Sequence, residues 1–394
     1  MSESASATKV ADDAASWLDG KERDMEEALA PLVEINSFTD NVEGGRRVGA
    51  ALRELFAVDG LVGRAVPSSR YADHLVFASG ESPAGGAPVA LVGHLDTVFP
   101  PGTFEGYRRQ GDIARGPGVL DMKGGLVVIA FALRALAKAG GLTGGVPLRI
   151  VIVADEEVGS PEGQRVIMES IAGSRACLVF EAGRKADAII TRRKGTGAVH
   201  AVAHGVAAHA GNQHEEGKNA IWAMSRFVDR AQGLTDYPRG VTVNVGKIGG
   251  GLGKNTVPDR ADAWVDFRFC SLADGQAVSG ALERAAEEAA VSVPGTRMAV
   301  TGGVARQPLE RTPASADLMA RYGACARAAG LGDGEAPLLG GGSDASTSSS
   351  MGIPSIDGLG PRGTGFHTKE EMIELSSLVP KANALARFLA MERR

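Results

Sequence analysis

The chain has 394 residues, enough for two or three ordinary domains around a sizeable core. Its 42 Lys and Arg against 47 Asp and Glu leave a net charge of −5, which argues against a nucleic-acid-binding surface, and its longest apolar run, Leu126 to Leu133, is far short of the roughly 20 residues that span a membrane. Glycine is the outlier: 54 residues, about twice the usual share, without the Gly-x-y period of collagen.

The first twenty residues carry four Asp or Glu and no apolar stretch, unlike a secretory signal. Three isolated cysteines, Cys177, Cys270 and Cys325, with no CxxC pair, fit a reducing compartment. The expectation is a cytoplasmic globular protein. Along the chain, PVALVG (88–93) is a short apolar strand ending before His94. Residues 124–139 have helical spacing at Leu126, Ile129, Leu133 and Leu136 and stop before Gly140-Gly141. LRIVIVA (148–154) reads as a buried strand, Ser160-Pro161 as the opening of a helix to about Ala172, and CLVFE (177–181) as another strand. Alternating buried strands and helices predict an α/β layer with a mostly parallel sheet. Between 194 and 306 the order becomes β-α-β-β-α-β, the split arrangement of ferredoxin-like domains. A helix over 314–329 and a strand near 353–357 then restore the α/β rhythm. The expected organisation is a catalytic domain of residues 1–193 and 307–394, interrupted by an inserted α+β domain at 194–306.

The chemistry-bearing residues fall at strand ends. His94 and Asp96 follow the first strand, Asp121 precedes a helix, Glu156 and Glu157 follow the second strand, Glu181 closes the third, and His367 follows the late strand through a Gly-rich loop. In open α/β sheets, sites form in the crevice at the carboxyl ends of the strands. Two histidines with several carboxylates suit divalent metals, zinc foremost, with cobalt or manganese as alternatives. In a two-metal site one carboxylate bridges both ions. Adjacent side chains diverge, so one of Glu156 and Glu157 can bind metal while the other acts as a general base.

GHLDTVFP, GPGVLDMKGG, ADEEVGS, VFEAGR and GFHTKEE resemble, in order, the motifs of the cocatalytic di-zinc exopeptidase and deacylase family, which includes glutamate carboxypeptidase, aminoacylase, acetylornithine deacetylase and succinyl-diaminopimelate desuccinylase. The resemblance runs from about residue 85 to 380. It implies that two Zn2+ are held by His94 and Glu181 on one side, Glu157 and His367 on the other, with Asp121 bridging. It makes Glu156 the general base and Asp96 the residue that orients His94, and it implies a cis peptide at Asp121-Met122. GVAAHAGNQHEEGKNAI resembles the family's lid motif, which would make His209 an oxyanion donor acting across a homodimer. By the same resemblance, closest to the glutamate carboxypeptidase branch, Asn255, Arg268 and Arg306 would hold the substrate carboxylate.

The predicted activity is hydrolysis of an amide in an N-acyl amino acid or short peptide, releasing a C-terminal amino acid such as glutamate. Deacylation or desuccinylation of an amino-acid intermediate is the second reading, and a non-catalytic metal-binding protein on the same fold the third. Other motifs fail on inspection. GGGLGKN (249–255) lacks the Ser or Thr of a phosphate loop, GGSDA (341–345) lacks the last glycine of a nucleophile elbow, and His214-Glu215-Glu216 has Lys218 where a zinc helix needs its second histidine.

Overall fold

The computed structural model describes residues 3–80 and 86–392. The chain divides into two compact units, one formed by residues 1–192, 311–338 and 343–394, the other by residues 193–310 and 339–342.

The first unit is built on its most apolar strands. Val89–His94 is buried along its whole length and Leu148–Val153 nearly so, as expected of strands covered on both faces. They pair in parallel; Val89–His94 also pairs in parallel with Ala176–Val179, which pairs with Ser355–Ile356. Beyond Leu148–Val153, the antiparallel strands His74–Ser79 and Leu61–Val66 complete a six-stranded, mixed, mostly parallel sheet. The helix Lys123–Lys138 is apolar on nearly every face and packs with Glu3–Leu18 and Leu378–Met391. Its first turn lies against the strand end at Phe180: a Cβ on Gly125 would sit 2.1 Å from the Phe180 carbonyl oxygen. Glycine is required there by close approach, not by a left-handed backbone.

The elements before residue 80 lie outside those expected from the sequence: the helices Glu3–Leu18, Glu22–Glu34 and Val42–Leu55 and the strands Leu61–Val66 and His74–Ser79, although Met25, Leu29, Leu32 and Val33 are buried at helical spacing. Leu61–Val66 is an edge strand whose central residues are exposed, so it carries no alternating signal. The helix expected from Ser160-Pro161 starts later, at Gly163, and runs to Ile171. Ser160 takes a left-handed φ of 55°. The buried Asp155 carboxylate accepts the Glu162 and Gly163 amides at 2.8 and 2.9 Å and so caps the helix in its place.

In the second unit, Gly195–His204, Thr242–Gly250, Arg260–Phe269 and Arg297–Arg306 form one antiparallel sheet. Numbered along the chain, the strand order is 2-3-1-4, that of a ferredoxin-like domain. The helices Ala220–Gln232 and Leu272–Ser292 pack on it around a second core that includes Phe227, Phe267 and Leu282. Among the described residues no helix is long and apolar enough to cross a membrane.

Candidate metal centre

Three loops leave the carboxyl ends of the parallel strands of the first unit, and a fourth enters the helix at Lys123. Together they carry His94 and five carboxylates, Asp96, Asp121, Glu156, Glu157 and Glu181, while His367 comes from the turn between Gly363–Thr364 and Met372–Glu374. The Nδ1 of His94 lies 3.0 Å from the Asp96 carbonyl oxygen and 3.3 Å from Asp96 Oδ1. With Nδ1–H donating there, Nε2 is left to face the cluster. It lies 3.3 Å from Asp121 Oδ1 and 3.6 Å from Glu181 Oε1. On the other side His367 Nε2 lies 3.4 Å from Asp121 Oδ2 and 3.1 Å from Glu157 Oε2. Asp121 thus turns one oxygen toward each of two His–Glu pairs. His94, Asp121 and Glu157 also bring ligand atoms within 4.8 Å of one another. The Asp121-Met122 peptide is cis, and His367 sits at a left-handed φ of 62°.

Asp96 is the junction behind this arrangement. Its Oδ1 accepts the Glu156 amide and its Oδ2 the Glu157 amide, both at 3.2 Å, which pins the single turn Glu156–Val158. Oδ2 also accepts the Thr39 hydroxyl at 2.8 Å. Thr39 arrives on a segment tied to the loop after His94: Ser37 Oγ donates to the Leu95 carbonyl, and the Thr39 and Thr97 amides bond across to Thr97 and Ser37. Nothing in the local sequence around Thr39 signals this role. Glu371 was missed although it lies inside the GFHTKEE motif. It is buried and accepts the amides of Gly118, Leu120 and Asp121. Lys123 is fully buried and donates from Nζ to the Ile35 carbonyl.

The charges explain one another. Burial opposes charge on His94, yet Glu181, Asp121 and Asp96 together hold its imidazole well above the ordinary value. Hydrogen bonds to Asp121 and Glu157 raise His367 to about 10. Burial likewise opposes ionisation of Asp121, but His367 and His94 hold it well below the usual carboxylate range. Burial pushes Glu157 up to about 7 and Glu181 well above its ordinary value, with the Asp121 and Glu156 charges adding to both. The Glu156 carboxylate therefore acts on both halves of the cluster. Concentrated negative charge that recruits protons onto its histidines is a site in want of a cation. The spacing agrees: donors about 2.0–2.1 Å from a tetrahedral ion stand roughly 3.3–3.4 Å apart, and the four N···O separations span 3.1 to 3.6 Å. The donor set gathered at His94, Asp121 and Glu157 fits a divalent cation.

The remaining predicted residues belong to the second unit. Ala208–His209 pairs with Thr256–Val257, and the Ala210 amide bonds to the Asn255 carbonyl at 3.0 Å, so His209 and Asn255 are neighbours, both exposed. His209 Nδ1 accepts the Gly211 and Asn212 amides, each at 3.1 Å, which places the proton of the neutral ring on Nε2. Arg268 and Arg306 both pair in register with Thr196, from opposite sides, and share one row of the sheet. The Arg268 fork is engaged by Asp266, Nε to Oδ1 and Nη2 to Oδ2, each at 2.9 Å. Asp266 is a partner that the motif comparison did not anticipate.

Residues 90–391 match peptidase family M20/M25/M40. The chain belongs to that family. It is 29% identical over 368 residues to carboxypeptidase G2 of Pseudomonas sp. (strain RS-16), covering 92% of this chain and 87% of that one. It is 31% identical over 229 residues to acetylornithine deacetylase of Myxococcus xanthus, covering 55% and 58%. Its fold is that of aminopeptidase PepT from Bacillus cereus, with a TM-score of 0.81 at 20% identity, covering 95% of this chain and 99% of that one. As an M20 protein the chain is a hydrolase, a metal-dependent peptidase or amidohydrolase with an α/β catalytic fold.

Proposed function

We propose that this M20 protein hydrolyses an amide with two cations, releasing a C-terminal amino acid, glutamate foremost, from an N-acyl amino acid or short peptide. The observation that carries the reading is the Asp121 carboxylate, whose two oxygens face two separate His–Glu pairs at 3.3 and 3.4 Å from the histidines. His94 and Glu181 would hold one ion, His367 and Glu157 the other, with Asp121 shared and zinc the proposed metal. When bound, such ions polarise a carbonyl and make water acidic near neutral pH.

The chain's own groups divide the rest of the work. Asp96 keeps the His94 ring in the tautomer that offers Nε2 and fixes the backbone from which Glu156 projects. Glu156 takes a proton from the attacking water as its oxygen bonds the carbonyl carbon, then gives that proton to the amine nitrogen as the C–N bond breaks. His209 Nε2–H, its direction set by the two amides on Nδ1, donates to the oxyanion. Arg268, Arg306 and Asn255 hold the carboxylate of the leaving amino acid, Arg by its planar fork. The proposed assembly is a homodimer through the second unit, whose edge strand Thr242–Gly250 leaves Ile248 exposed and leads into the exposed Leu252. The likeness to carboxypeptidase G2 over most of both chains favours the carboxypeptidase activity.

The test is Glu156→Gln, which should keep its metal content and lose about 10²–10⁴-fold in kcat. Retained turnover would remove the general-base assignment. Glutamyl conjugates assayed beside N-acetyl and N-succinyl amino acids separate carboxypeptidase from deacylase action.

A further inference from the structure

The His367 turn and the Asp121 loop come from distant parts of the chain, and one side chain joins them. Glu371 lies four residues after His367 and is 1% exposed. Its Oε1 accepts the Leu120 and Asp121 amides at 2.9 and 3.0 Å, and its Oε2 the Gly118 amide at 3.1 Å. Its own amide bonds to the Thr368 carbonyl, and the Thr368 amide to that of Gly365, closing the turn that bears His367. Directly after it, Met372–Glu374 pairs with both Gly363–Thr364 and Ile113–Arg115. The carboxylate therefore staples the backbone of Asp121, the shared residue of the cluster, to the hairpin that carries one histidine of one half-site.

We propose that Glu371 is a positioning residue that sets the separation of the two cation half-sites by holding the Asp121 loop against the His367 hairpin. Both of its oxygens are taken up by main-chain amides. A buried side chain accepting three main-chain amides is a stiff tie, because each amide that lost its acceptor there would be stranded away from water. A shift of the Asp121 backbone moves both of its oxygens together, so an error there is felt by both halves at once. Supporting groups behind metal ligands are worth about 10–100-fold in metal affinity or activity. This inference rests on the two-cation reading above.

The test is Glu371→Gln with Glu371→Asp beside it. In the first, Oε1 can keep its two amides while the new NH2 opposes the Gly118 amide; in the second the charge stays and the reach is too short. Circular dichroism and thermal unfolding select the variant that is folded, and Co2+ or Zn2+ titration calorimetry on the full chain counts ions. Wild type should take up two ions. Either folded variant should bind the pair about 10–100-fold more weakly, lose kcat with KM changed less than about threefold, and, loaded with Co2+, show weakened magnetic coupling between the ions. A folded variant with wild-type ion affinity and coupling overturns the proposal, even if it melts earlier, since it would then be a structural tie only. A wild-type chain that takes up no ion pair would instead overturn the functional reading itself.

Discussion

Replacing Asp96 by asparagine keeps the shape of a buried junction and removes one acceptor from it. The carboxylate serves four donors: the amides of Glu156 and Glu157, each at 3.2 Å, the Thr39 hydroxyl at 2.8 Å and His94 Nδ1 at 3.3 Å. The best placement of the new amide puts its oxygen at Oδ1, where it still serves Glu156 and His94. Its nitrogen then lies at Oδ2, where Thr39 can turn its hydroxyl to accept but the Glu157 amide cannot. One buried N–H is stranded, at about 1–3 kcal/mol, and the surviving bonds lose their charge assistance. The total is about 2–4 kcal/mol of stability in the first unit. His94 keeps its bond to the Asp96 carbonyl at 3.0 Å, so its tautomer survives. The damage concentrates on Glu157 and should appear as a 10–100-fold loss of affinity, about 1.4–2.7 kcal/mol, for the ion on the Glu157–His367 side. Chelator competition followed by calorimetry measures this, and urea unfolding measures the stability. If Asp96→Asn binds both ions within about threefold of wild type, the junction does not transmit to Glu157 and the reasoning fails.

Three further outcomes follow from the same geometry. Gly125→Ala should destabilise the first unit by about 2 kcal/mol or more in chemical denaturation, because the new methyl meets the Phe180 carbonyl at 2.1 Å and outweighs the ~1 kcal/mol gain in helix propensity; a neutral or stabilising effect would mean the helix start can move. Metal affinity should rise with pH between about 6 and 8: with His367 raised to about 10 and Glu157 to about 7, the metal-free cluster holds protons that an ion must displace, at tenfold per pH unit for each proton released. Calorimetry in buffers of different ionisation heat counts those protons, and a count of zero would contradict the charge arrangement. Asp266→Asn should lower KM several-fold for a carboxylate substrate by freeing the Arg268 fork, while Arg268→Ala raises it at least tenfold. Equal KM in all three proteins would remove Arg268 from the substrate site.

Where the sequence was legible, one kind of signal made it so. His94, Glu156, Glu157 and Glu181 each end or follow a run of buried aliphatic residues, so the period of the strands pointed to the edge on which they gather. In the second unit the strands Gly195–His204 and Arg260–Phe269 bury every other residue, which is the alternation their sequences show. Thr39, Asp155 and Glu371 were not readable. Thr39 donates its hydroxyl to Asp96, 57 positions on, Glu371 accepts amides some 250 positions away, and Asp155 accepts the Glu162 and Gly163 amides; the partners of such bonds leave no mark in residue type. Ser160-Pro161 misled for a related reason: a favourable local cap was overruled by a buried carboxylate eight residues before Gly163.

The two sides of the cluster do not meet solvent equally. His94 ends a central strand paired on both sides and is 1% exposed, while His367 stands 49% exposed on a hairpin of very short strands. Local opening of a hairpin needs far less free energy than loosening the centre of a sheet. Ions bound here would therefore leave in sequence, the one beside His367 quickly and the one beside His94 slowly, giving two separate phases when a chelator is mixed in. In metal-poor surroundings the chain would then wait half-loaded, holding one ion at the floor of the site and needing only a second to complete the pair.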